Sequence, residues 1–169
     1  MIPLGVGDAH TKQHYHSNVL LDFNGTRVLI DAGTTLRYSL QQAAVEPETI
    51  QYIFITHFHH DHAGGLAEFL TTSYWRFIDG KHSPHRPTIL YRPNQLCELD
   101  GILTPALNNQ GLTWKDYCLP IEIKNNVYNF PEHMLKVIPT DSLHCEGLNS
   151  CGLKFINEKV AKISSYQEI

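Results

Sequence analysis

No stretch of this chain approaches the ~20 consecutive apolar residues that a membrane-spanning helix requires. The opening Met-Ile-Pro-Leu-Gly-Val-Gly-Asp lacks a basic stretch followed by an apolar one, so the pattern of a secretory signal is missing. An excess of positive charge is missing too: the formal charge of −4 offers no general attraction to nucleic acid or to an anionic membrane. Lys81, Arg86 and Arg92 lie near one another but read as scattered solubilising charge. The four cysteines, Cys97, Cys118, Cys145 and Cys151, show no paired spacing of a disulfide scaffold or a zinc ribbon. Repeats, linkers and low-complexity segments are absent as well. Together these absences lead us to expect a cytoplasmic chain with buried, reduced thiols and no membrane partner.

What remains is an ordinary globular composition with one anomaly. A hydrophobic fraction of 42% and a charged fraction of 18% over 169 residues suit one domain, residues 1–169, with a real core. The anomaly is histidine: there are 11, and four of them fall between positions 57 and 62.

The hydrophobic pattern places that cluster. Val19–Phe23 and Arg27–Asp31 read as strands joined by Asn24-Gly25, a pair that tolerates the positive φ of a tight hairpin. Thr34 or Thr35 is positioned to cap a helix with Leu36, Leu40, Ala43 and Ala44 on one face, ending by Pro47. Tyr52–Thr56 is almost wholly apolar and reads as an inner strand, with Gly64-Gly65 then turning into a helix through Leu66, Phe69 and Leu70. Residues 72–87 read as loop, Thr88–Tyr91 as a strand, and Pro93 as the first turn of a helix through Leu96 and Leu99. Strands follow at Leu119–Lys124, Val127–Phe130, Met134–Pro139, Gly152–Ile156 and Lys159–Ile163, with turns at Asn125-Asn126 and Asn157-Glu158. Strands, then mixed β and α, then strands predict an α/β sandwich.

The central string is Thr-His-Phe-His-His-Asp-His-Ala-Gly-Gly-Leu, residues 56–66. Side chains two apart on an extended segment point the same way, so His57 and His59 can bind one metal together, while His60 breaks the alternation and faces away. Asp61 and His62 follow where the chain turns and can face a second ion. Imidazole and carboxylate suit zinc, and also manganese or iron. A histidine-rich surface loop is the bland alternative, but burying so many rings without a metal leaves donors and acceptors unpaired.

His57-Phe-His59-His60-Asp61-His62 resembles the His-x-His-x-Asp-His signature of the metallo-β-lactamase superfamily, down to the hydrophobic strand before it and the Ala-Gly-Gly-Leu after it. Leu29-Ile30-Asp31-Ala32-Gly33 resembles the family's first motif, in which Asp31 would orient a metal ligand from behind. His144 best matches a further histidine expected after a late strand, with His133 as a rival. The resemblance implies an αββα sandwich holding one or two zinc ions on His57, His59, Asp61, His62 and His144. Pro87–Leu96, His144–Leu153, and Gly5–Asp8 with His16-Ser17-Asn18 resemble the phosphodiesterase and ribonuclease Z branch. The activity implied is hydrolysis of a small-molecule or nucleotide phosphodiester, in a cyclic nucleotide or RNA. Bound metal lowers the pKa of water from about 16 towards about 7, and Asp61 and His62 serve the chemistry. His10, His14 and His16 fall in the first loop, either within reach of substrate or as part of a solvent-exposed polar loop. A thioesterase of the glyoxalase II type is an alternative, whereas the usually exported β-lactamases fit poorly.

One departure matters. A complete family member supplies a bridging aspartate and a final histidine late in the chain, but nothing after His144 is Asp or His. The resemblance therefore implies a domain lacking its C-terminal portion. Its second metal site would be impaired, completed by a partner chain or another copy, or served by a local group such as Asp8, His10, His14 or Asp141. A catalytically impaired metal-binding module is the second functional reading.

Overall fold

The computed structural model describes residues 1–131, 135–142, 144, 148–157 and 162–166. β1 (Ile2–Gly5) pairs antiparallel with β2 (Asn18–Phe23), which turns back into β3 (Thr26–Ile30). The turn is the expected one: Asn24 and Gly25 have φ of 55° and 95°, the two positive values a tight hairpin needs. Helix α1 (Leu36–Gln42) leads to β4 (Tyr52–Phe54), then to α2 (His60–Ala63) and α3 (Leu66–Tyr74). The short strands β5 (Phe77–Ile78) and β6 (Lys81–His82) form a hairpin inside the stretch expected to be loop, turning at Asp79 and Gly80, both at positive φ. After β7 (Thr88–Tyr91) come α4 (Leu96–Leu107), α5 (Trp114–Tyr117) and β8 (Leu119–Glu122).

The larger sheet has the order β1-β2-β3-β4-β7-β8, and β3, β4, β7 and β8 run parallel. Period-two alternation divides its side chains between two cores. Leu20, Leu29, Ile53 and Ile89 pack with Leu36, Leu40, Leu66, Phe69 and Leu103 of the helices. Val19, Leu21, Val28, Ile30, Tyr52, Phe54 and Leu90 face the opposite way. There they meet Phe130, Val137, Leu153 and Phe155 of a second, antiparallel sheet, β12-β11-β10-β9. Its strands are β9 (Tyr128–Phe130), β10 (Leu135–Asp141), β11 (Cys151–Asn157) and β12 (Lys162–Tyr166). β4 is apolar on both faces because both are covered; its fully buried Ile53 contributes about 1.5–3 kcal/mol. Helix, sheet and sheet are thus three layers of the expected sandwich. No helix among the described residues is long and apolar enough to cross a membrane.

Three local expectations are corrected. Thr35 occupies the position before α1, yet no side chain caps that helix. Its hydroxyl instead accepts the His16 N–H at 2.8 Å, and the Thr34 hydroxyl sits 3.0 Å from His16 Nδ1. Ala43 and Ala44 lie beyond the helix and are exposed. With Ala44 at φ 52°, Val45 N–H bonds back to the Leu40 carbonyl and Ala44 N–H to that of Gln41, which closes the helix end. The last strand, described over Lys162–Tyr166, also runs past the expected end at Ile163, while residues 159–161 of that expectation lie outside the described residues.

Candidate metal centre

The site lies where parallel strands end, the usual place for function in such sheets. β3 hands over to Asp31 at φ 66°, and the Asp31 N–H bonds to the Phe54 carbonyl of β4. That bond brings the Asp31 carboxylate under Thr56, the residue before the histidine cluster. The Thr56 N–H donates to Asp31 Oδ1 at 2.7 Å, and the Thr56 hydroxyl spans both oxygens at 3.0 and 2.9 Å. His62 Nδ1 lies 2.9 Å from Asp31 Oδ2. Complete burial pushes the Asp31 carboxyl up, against the hydrogen bonds from His62 and Thr56 that pull it down.

This arrangement fixes protons on two rings. The carboxylate accepts, so His62 Nδ1 carries its hydrogen and Nε2 keeps the lone pair. The Thr56 hydroxyl has given its hydrogen to Asp31, so at 3.2 Å it accepts one from His57 Nδ1. His57 Nε2 is then the lone-pair nitrogen as well. One buried carboxylate sets the tautomers of two histidines, directly and through a threonine.

The structure brings His57, His59 and His144 together, with one ring nitrogen from each lying within 4.8 Å of the others. His57 is fully buried, whereas His59 and His144 are exposed. The ring centroids of His57 lie 4.7 Å from those of His59, 4.6 Å from His144 and 4.1 Å from His62. Burial, aided by the nearby His57 and His144 rings, pushes the His59 imidazole below its ordinary range and favours the neutral form. Asp61 and His62 open helix α2 as buried side chains, with Asp61 Oδ2 3.4 Å from His62 Nε2. They adjoin the trio without joining it. His60 is exposed and turned towards the His16 ring, 5.9 Å away, as the alternation implied.

In the first loop, His10 and His14 are exposed, and Asp8 accepts the His10 N–H. His16 is buried, and its desolvation lowers its pKa while the Asp61 charge opposes the shift. Asp141 pairs with Arg92 at 2.7 Å. His133 lies outside the described residues. Two small residues make the packing around the ligands feasible: a Cβ on Gly33 would collide with the Asp61 carbonyl, and one on Gly65 with the Gly33 carbonyl. Thr56 and Gln95 escaped sequence reading, since nothing in an apolar strand end or a short helical turn marks a buried polar brace. Gln95 is buried, and its amide donates to the Ile55 carbonyl at 2.9 Å and accepts the Arg92 N–H at 3.0 Å.

A mixed sheet packed on an antiparallel one, outer helices and histidines at the strand ends define the metallo-β-lactamase fold, which similar solved proteins share. YhfI from Bacillus subtilis, a metallo-β-lactamase-fold protein, superposes with a TM-score of 0.68 at 14% identity, over 92% of this chain and 56% of that one. Within that class, the chain belongs to the family described as Anti-Pycsar protein Apyc1, whose family model matches residues 1–165. The Anti-Pycsar protein Apyc1 of Paenibacillus xerothermodurans is 42% identical over 66 residues, 39% of this chain and 26% of that protein. The Ribonuclease Z of Pyrobaculum calidifontis is 39% identical over 124 residues, 72% of this chain and 42% of that protein. The chain spans 26% to 56% of the length of such curated relatives.

Proposed function

We propose that the protein is a metal-dependent hydrolase of phosphodiesters, in cyclic nucleotides or RNA, and that His57, His59 and His144 hold a zinc ion. The convergence of three imidazoles from two distant stretches of chain carries this reading. The donor set fits zinc in kind: three imidazole nitrogens converge within 4.8 Å of one another, and imidazole is a common zinc ligand. Manganese or iron would suit the same imidazoles and carboxylate. The similarity to a protein named Ribonuclease Z and the family match to Anti-Pycsar protein Apyc1 support a phosphodiester substrate over a thioester.

A metal held by His57, His59 and His144 would supply acidification of water and stabilisation of charge on a phosphoryl oxygen. The protein's own groups do the rest. Asp31 keeps the Nε2 lone pairs of His57 and His62 available by holding their Nδ1 protons, through Thr56 for the former. Asp61 and His62 lie side by side next to the trio, where they would hold a water or contribute to a second ion. A metal-binding module without turnover is the second reading, favoured by the absence of Asp61 and His62 from the three-donor cluster.

The test is metal content of the purified protein together with turnover of bis(p-nitrophenyl) phosphate. We expect at least one zinc per chain and hydrolysis that falls to background in His59→Ala. A zinc-loaded protein inert towards this substrate, thioesters and β-lactams would leave only the binding module.

A further inference from the structure

Of the three imidazoles, His144 alone comes from the second sheet's side of the sandwich, three residues after the end of β10. A ring at an exposed position needs its backbone held if it is to meet His57 and His59. Two of the holding groups, Arg92 and Glu98, come from the segment after β7. Arg92 Nη2 lies 2.7 Å from Asp141 Oδ1, the last residue of β10. On the far side of His144, the Asn149 amide donates to Glu98 Oε1 at 2.8 Å, the Ser150 hydroxyl to the Ser142 carbonyl at 2.8 Å, and Cys151 N–H to the Thr56 carbonyl at 3.1 Å.

Arg92 is itself on firm ground. Its side chain is 16% exposed against 87% for Asp141, and its backbone is tied through Gln95 to Ile55, two residues before His57. The asymmetry is informative. Asp141 protrudes into solvent and meets a guanidinium that the end of β7 holds in place. We propose that Arg92 and Asp141 form a latch that registers His144 against His57 and His59 beyond the end of β4, Arg92 being a positioning residue and not a ligand. The inference rests on the zinc-site reading above. It also gives Asp141 a role other than that of substitute ligand.

The test is zinc affinity by competition with a chromophoric chelator, in Arg92→Ala, Asp141→Ala, the double variant, Arg92→Lys and the exchanged pair Arg92→Asp/Asp141→Arg. In parallel, histidine side-chain NMR of the metal-free proteins reads the His144 ring directly. Each alanine variant is expected to bind zinc about three- to tenfold more weakly, below the loss for groups bonded to a ligand itself. The double variant is expected to be no weaker than the worse single one, with recovery in the lysine and exchanged forms. The His144 ring signals should shift in both single variants while those of His62 stay.

Tighter binding in Arg92→Ala would mean that Asp141, once released, is a ligand, and the latch would be wrong. Unchanged affinity in Asp141→Ala, or additive losses, would overturn it equally. Should Arg92→Ala fail to fold, Asp141→Ala and Arg92→Lys decide. If the wild-type chain binds no zinc, the proposed function falls, and the metal-free His144 signals alone judge the latch.

Discussion

Replacing Asp31 tests the hub of the site. In Asp31→Ala three buried donors lose their acceptor: the Thr56 N–H, the Thr56 hydroxyl and His62 Nδ1. Each buried unpaired group costs about 1–3 kcal/mol, and because they share one carboxylate the losses overlap, giving about 3–5 kcal/mol together. An alanine at φ 66° adds about 1–2 kcal/mol of backbone strain. Asp31→Asn separates these contributions. Asparagine tolerates the left-handed backbone and keeps an oxygen for Thr56, but sets an amide N–H against His62 Nδ1. It should cost about 1–3 kcal/mol and drive His62 to the other tautomer, with its hydrogen on Nε2 facing Asp61. Urea unfolding of chelator-treated protein, read at unchanged m-value, measures the stabilities, and nitrogen NMR of the histidine rings reads the tautomer. An Asp31→Ala protein within about 1 kcal/mol of wild type, below the span of even one orphaned donor, would refute the reasoning. So would an Asp31→Asn protein whose His62 keeps Nδ1–H.

Two further outcomes follow from the same geometry. The His59 and His16 imidazoles are pushed below 6.5 in the folded chain, so the unfolded chain takes up their protons first as pH falls. Their stabilising contribution is therefore complete above pH 6.5 and lost as pH drops through the lowered folded values; melting temperature should be level above that point and decline below. Gly33→Ala should destabilise by about 1–3 kcal/mol or more and weaken zinc binding too, because the added Cβ strikes the Asp61 carbonyl; a melting curve matching wild type would show that the turn has room to yield.

Sequence pattern captured whatever is local and periodic. The Asn24-Gly25 turn, the doubly buried β4 and the approach of His57 to His59 follow from neighbours on the chain. The role of Asp31 behind a metal ligand and the place of His144 came from resemblance, because no spacing rule reaches across 31 or 87 positions, and the pairing of Asp31 with Thr56 went unread. The misreadings have different causes. Thr34 and Thr35 carry a capping signal, yet His16, remote in sequence, claims both hydroxyls. Ala43 and Ala44 continue a helical stripe, but the αL conformation of Ala44 ends the helix first. The Asp79-Gly80 hairpin hid in a stretch rich in His, Pro and Gly. Arg92 and Asp141, 49 positions apart, carried no mark that they would meet.

The pairing of β3 with β4 aligns Val28 with Tyr52, Leu29 with Ile53 and Ile30 with Phe54. Sliding one strand by a single residue would turn its helix-side chains towards the second sheet and expel Asp31 from beneath Thr56. Misalignment at the ligands thus carries the same energetic penalty as scrambling both hydrophobic interiors. The centre is keyed to the sheet like a tooth to its gear, so random drift in the surrounding loops leaves its innermost part in place.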